Sequence, residues 1–178
     1  MCNQIHKDGY VSFNKGLKSY EFPVEFPTVP DNPDLEQDPS MIAIFFAHQD
    51  IPSSVPESGV YFRLVNIQTE QDETLRERLL SDFDSSMACT VGFEPKFAMI
   101  ISWVNMTFPN RRYHDSLKTN TYQMVLATDE MMTIAMFNYE QIEWITHLDN
   151  YDGLKGPPAF VGLSFESKLF SKILVTLY

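Results

Sequence analysis

From Phe97 to the C-terminus the chain reads as short apolar runs separated by turn-forming residues: FAMIISWV, NTYQMVLAT, MTIAMFNY, QIEWIT, PAFVGLSF and SKILVTLY. Each has the length of a strand and is rich in β-branched and aromatic residues, which suit a pleated surface. In QIEWI, Ile142 and Trp144 share one side and Gln141 and Glu143 the other, so at least one sheet is half solvated. Upstream, MIAIFFAH (Met41 to His48) is apolar at successive positions, the pattern of a strand buried on both faces. GVYFRLV (Gly59 to Val65) alternates, with Val60, Phe62 and Leu64 on one side and Arg63 pointing away. A helical stripe occurs between Gln71 and Phe83, where Leu75, Leu79 and Phe83 recur at four-residue spacing among charged residues. Thr69 and Asp72 supply a capping-box-like start for it. The pattern predicts a mainly β fold: an antiparallel β-sandwich-like domain with one amphipathic helix packed on a sheet.

Between Phe22 and Pro39 the sequence FPVEFPTVPDNPDLEQDP removes backbone donors at each proline and crowds acids between them. It predicts an ordered surface loop. The segment before it is too short to hold a core, so the expectation is a single domain over residues 1–178.

Charge narrows the function classes. Thirteen Lys and Arg stand against 24 Asp and Glu, a formal net charge of −11, the wrong sign for gripping a phosphate backbone or an anionic lipid surface. Nucleic acid is therefore not an expected partner. No apolar stretch is long enough to span a bilayer, so direct membrane insertion by this segment is not expected either. The start, MCNQIHKDGYVSF, has no cationic and apolar leader, which fits either a cytosolic protein or a domain excised from a longer chain. Cys2 and Cys89 lack metal or redox spacing, and are a candidate disulfide or two unrelated thiols. No cationic neighbour in sequence activates Cys89 as a nucleophile.

Four His–Asp neighbours offer acid–base or metal chemistry: His6 with Asp8, His48 with Asp50, His114 with Asp115, and His147 with Asp149. None lies beside a Gly-x-Ser-x-Gly elbow, and two ligands do not make a zinc site, so solvated turns and strand ends are the plainer reading. LDNYDG (Leu148 to Gly153) places Asp149, Asn150 and Asp152 before a glycine. Asp149 and Asp152 are weak calcium candidates, against an Asx-type turn, because the spacing fails the EF-hand pattern. No metal site and no cofactor is expected.

The order of blocks carries more. DGYVSF (Asp8 to Phe13), IAIFFAHQD (Ile42 to Asp50), SGVYFR (Ser58 to Arg63), MIISWVNMTF (Met99 to Phe108), NTYQMVLAT (Asn120 to Thr128), AMFNYEQIEW (Ala135 to Trp144) and PAFVGLSF (Pro158 to Phe165) follow one another with short gaps. In that order they resemble the nidogen-like (NIDO) domain of matrix and cell-surface glycoproteins. One departure stands out: where the family's apolar strand closes with Ala-Asp-x-Asp, this chain has Ala47-His48-Gln49-Asp50 and keeps only the second acid. The resemblance implies Gly59 as a turn residue, Trp103 and Trp144 as core, and Asn120 as a strand start.

It also implies extracellular placement, secreted or as the ectodomain of a membrane-tethered protein, as one module excised from a longer multidomain chain. The expected role is protein interaction in cell–matrix adhesion or extracellular matrix assembly, with matrix or cell-surface proteins as partners and self-association open, and with no catalytic residue. On that placement Asn105-Met106-Thr107 becomes a glycosylation sequon, against an asparagine kept at 105 for local hydrogen bonding. From composition alone, the aromatic content and scattered His–Asp pairs leave an alternative: a β-sandwich or barrel that binds or hydrolyses a small ligand.

Overall fold

The protein is described by a computed structural model covering residues 4–13, 40–86, 93–109, 118–146, 158–164 and 173–177. The elements are β1 (Gln4–His6), β2 (Tyr10–Ser12), β3 (Met41–Phe46), β4 (Gly59–Asn66), α1 (Glu73–Ser86), β5 (Phe97–Met106), β6 (Asn120–Thr128), β7 (Thr133–Ile142), β8 (Phe160–Ser164) and β9 (Ile173–Leu177). They form a four-stranded sheet in the order β1-β2-β3-β8 and a five-stranded sheet in the order β4-β5-β6-β7-β9. The mainly β expectation with one helix holds. Pairing in the first sheet is antiparallel, whereas β9 joins the second sheet parallel to β7, with Thr133 opposite Ile173 and Phe137 opposite Leu177. MTIAMFNY and QIEWIT, read as two strands, are largely one: β7 runs unbroken to Ile142. The proline-rich stretch lies outside the described residues.

Contacts divide the chain into two compact units interleaved in sequence, with the divisions falling inside β4, β5, β6 and β7. In the first unit, all six residues of β3 are buried, as its unbroken apolar run predicted. Phe45 meets Trp144 edge-on at 5.1 Å and Tyr122 at 5.4 Å, and Trp103 stacks on Tyr122 at 5.3 Å. Both tryptophans are fully buried. Each indole N–H nevertheless has an acceptor: Trp103 Nε1 donates to the His6 carbonyl at 2.9 Å and Trp144 Nε1 to that of Met106 at 3.0 Å. Such bonds are what make a buried indole tolerable.

In the second unit, Leu79 and Phe83 of α1 pack on Val65, Ile67, Ala98, Val125, Ala127, Ile134 and Met136. The four-residue stripe is therefore the buried seam of the helix, as predicted. Its N-cap is Asp72 itself, whose carboxylate accepts from Leu75 N at 3.0 Å and whose carbonyl accepts from Arg76 N at 3.0 Å. Thr69 instead belongs to the preceding turn, its N–H bonded to the Asn66 carbonyl. The capping-box reading had given Thr69 the role that the later aspartate performs.

The β4 expectation is inverted. Val65 and Ile67 carry the buried parity, while Phe62 and Leu64 are 65% and 70% exposed. The strand has apolar residues at both parities, and only the helix lying against Val65 and Ile67 decides which set is covered.

Candidate functional site

The turn between β1 and β2 is built around Gly9. Its φ of +78° lies in the left-handed region, and an added Cβ would stand 2.0 Å from the Phe45 carbonyl oxygen. Only glycine allows that approach. It lets the Gly9 carbonyl accept from both Ile44 N and Phe45 N, at 3.0 and 3.1 Å, so two successive donors of β3 share one acceptor. That two-against-one pattern is a β-bulge.

Just beyond the bulge, Gln49 is fully buried. Its Nε2 donates to the Phe45 carbonyl at 3.0 Å, its Oε1 accepts from the Tyr122 hydroxyl at 2.8 Å, and its backbone N–H donates to Asp8 Oδ1 at 3.1 Å. The Lys7 ammonium donates to the Gln49 carbonyl and to Asp8 Oδ1, the latter at 3.1 Å, and lies 3.7 Å from Asp50 Oδ1. Three oxygens from Asp8, Gln49 and Asp50 thus converge on an ammonium. Asp50 is held there by a two-way backbone bridge to Thr107, with N–O distances of 2.7 and 2.9 Å. Lys7 is thus surrounded by Asp8, Asp50 and a main-chain carbonyl.

His6 lies beside this cluster. Its ring stacks on Tyr10 at 4.0 Å and its Nε2 is 3.0 Å from Ser12 Oγ. Burial pushes its pKa below the ordinary value of 6.5, against the smaller opposing pull of the Asp8 charge. His6 and Asp8 are therefore parts of a folded hairpin, in which the hydroxyl that meets the imidazole belongs to the fully buried Ser12 of β2. His48 is half-buried at the strand end, and Asp50 lies 3.7 Å from the Lys7 ammonium.

Asn120, expected to open a strand, does that and more. Fully buried at the first position of β6, it accepts through Oδ1 from Glu143 N at 2.8 Å and Trp144 N at 3.2 Å, and donates through Nδ2 to the Trp144 carbonyl at 2.8 Å. The segment after β7 leaves the strand ladder, and one asparagine side chain replaces its backbone partners. The neighbouring Thr119 N–H is taken by Glu143 Oε2 at 2.7 Å.

At the surface, β4 ends its sheet and exposes Tyr61, Phe62 and Leu64. Arg63 between them is tied to Glu70 at 3.1 Å and reaches Asp72 at 3.9 Å. A separate groove of about 720 Å³ runs beside α1, lined among others by Ile67, Arg76, Leu80, Phe83, Phe93 and Lys96. Asp84 and Glu94 also line it.

Among the described residues no group of three or more His, Cys, Asp or Glu is placed to hold a metal ion, and no helix is long and apolar enough to cross a membrane. Cys2, Cys89, His114, Asp115, His147, Asp149 and Asp152 lie outside the described residues. Asn105 is half-buried near the end of β5 with φ of +52°. Sequence reasoning found neither Gly9 as a crossing point nor Gln49 as a buried link. Nothing in the periodicity distinguishes a buried glutamine at a strand end from a solvated one.

A family model described as the nidogen-like domain matches residues 2–175. The chain belongs to the nidogen-like domain family. This nidogen-like domain is 37% identical to protein mesh of Bombyx mori over 193 residues, covering 97% of the chain and 12% of that protein. It is 29% identical to alpha-tectorin of Mus musculus over 166 residues, covering 90% of the chain and 7% of the relative. Mucin-4 of Mus musculus is 33% identical over 104 residues, covering 57% of the chain and 3% of the relative. The chain therefore spans no more than 12% of the length of these relatives. No solved structure matches it. The resemblance carried by the seven ordered blocks is thus confirmed, and the residues it marked as core, Trp103 and Trp144, anchor the aromatic cluster of this nidogen-like domain.

Proposed function

We propose that this nidogen-like domain is an extracellular protein-interaction module, serving cell–matrix adhesion or matrix assembly as one part of a longer chain. The observation that carries the reading is the family match over residues 2–175, supported by relatives named as a mucin and a tectorin and by the small share of each relative that the domain covers. β4 is the surface we assign to it. A sheet edge offers backbone donors and acceptors to an added strand, and here Phe62 and Leu64 stand exposed on it. Glu70, Asp72 and Glu73 follow β4 in sequence, Arg63 is already paired with two of them, and the chain carries a net charge of −11. The occupant this favours is an extended partner segment, apolar at alternate positions and basic at its ends.

The domain, secreted from animal cells and immobilised, is exposed to solubilised matrix and membrane proteins at about 0.15 M salt. Saturable capture of a partner is expected, lost in a Phe62→Ser/Leu64→Thr double variant that keeps the wild-type unfolding midpoint. Capture unchanged in that variant would move the interface elsewhere, and absence of any partner with folded protein would overturn the interaction reading.

A further inference from the structure

The chain contains a single Asn-x-Ser/Thr sequence with x other than proline, Asn105-Met106-Thr107, and the fold treats its two polar residues in opposite ways. Asn105 is the penultimate residue of β5 and lies in the left-handed region, φ +52°, flanked by Trp103, Met106, Thr107 and Phe108, all of them buried. Its backbone N–H donates to Thr121 Oγ1 at 3.1 Å, a side-chain acceptor in place of a ladder carbonyl. The residue is half-buried, and its side-chain amide makes no hydrogen bond among the described residues. Asn120 shows what an asparagine retained for side-chain bonding looks like here: fully buried, with both amide atoms engaged. Asn105 matches that description only in its backbone, which glycine would serve equally well. Thr107 is the reverse case, fully buried, with its hydroxyl donating to the Lys118 carbonyl at 3.0 Å.

From this we infer that Asn105 is an N-glycosylation site, modified before the domain folds. The inference rests on the extracellular reading above, since the donor is a lipid diphosphate-linked oligosaccharide of the secretory pathway. Asn105 Nδ2 attacks the anomeric carbon of that donor, the lipid diphosphate leaves, one amide proton is lost, and no oxidant or reductant is needed. The threonine hydroxyl that makes the site an acceptor is accessible only in the unfolded chain, because folding buries it against Lys118. Folding then leaves the modified residue half-buried near the end of β5 while the threonine takes up its structural bond.

The test expresses the domain behind a cleavable signal sequence in animal cells and digests both the intracellular and the secreted pools with peptide N-glycosidase. A downward mobility shift is expected for wild type and for Thr107→Ser, and none for Asn105→Gly, which keeps the left-handed backbone. Intact mass should further show that digestion leaves an aspartate at position 105. Wild-type protein recovered from the intracellular and secreted pools with no shift would overturn the site while leaving the interaction reading untouched. Glycosylated protein retained inside the cell as an aggregate would support the site and count against the extracellular reading instead.

Discussion

Replacing Asn120 tests whether one side chain holds the segment after β7. Asn120→Ala removes the acceptor for Glu143 N and Trp144 N and the donor for the Trp144 carbonyl. Trp144 is fully buried, so its two backbone groups lose their partner where water does not easily replace it, whereas exposed Glu143 can turn its N–H to solvent. At about 1–3 kcal/mol for each of the two buried groups left unsatisfied, the loss comes to about 2–6 kcal/mol, a large part of the typical 5–15 kcal/mol stability of a domain. With a urea m-value of about 2 kcal/mol/M, the midpoint falls by roughly 2 M. Trp103 and Trp144 are buried and provide the fluorescence signal. Asn120→Asp sharpens the test. It keeps an acceptor for the two N–H groups but sets a carboxylate oxygen against the Trp144 carbonyl, 2.8 Å from the present nitrogen. A protonated carboxyl can donate there and an ionised one cannot, so folding raises the pKa of the new group above its ordinary value of about 3.9. The folded state then holds more protons than the unfolded one, and the variant's deficit relative to wild type is smallest below the ordinary carboxylate pKa, growing as pH rises through the raised value. A deficit for Asn120→Ala below about 1 kcal/mol, or a deficit for Asn120→Asp that does not change with pH, would refute the reasoning.

Gly9→Ala, with its Cβ 2.0 Å from the Phe45 oxygen at a positive φ, should cost about 3–5 kcal/mol, read by the same urea melt; a near-neutral result would mean that the bulge on β3 is not needed. Lys7→Met leaves Asp8, Asp50 and the Gln49 carbonyl without their cation, and should lower stability by about 1 kcal/mol. Millimolar calcium should raise the melting temperature of that variant and not of wild type, and equal responses would show that the ammonium does not occupy a cation's place. Because burial depresses the pKa of His6, its contribution to stability is fully present above the unfolded value of about 6.5 and declines as pH falls through the depressed folded value. His6→Gln should flatten stability across that window, measured by melting temperature between about pH 7 and pH 5, and an unchanged slope would assign the dependence to other groups.

By itself, the sequence determined the class of fold and the family. Period-two runs, the fully apolar β3 and the Leu75-Leu79-Phe83 stripe are local patterns, and each formed the element its spacing dictates because burying one face is the dominant gain for strand and helix alike. Four of the seven blocks meet in the core, where Phe45, Trp103, Tyr122 and Trp144 are drawn together. The tertiary structure decided everything that depends on who the neighbour is. β4 carries apolar residues on both sides, and the helix chose the pair to cover, leaving Phe62 and Leu64 on the surface. Gly9 is indistinguishable in sequence from any turn glycine until the Phe45 carbonyl is seen 2.0 Å from its missing Cβ. Asn105 and Asn120 both lie at strand ends, yet one amide is unbonded among the described residues, on a backbone of positive φ, and the other holds a loop through three bonds. Hydrophobic periodicity records which side faces the core, whereas hydrogen-bond partners across long sequence separations are fixed only once the strands are in register.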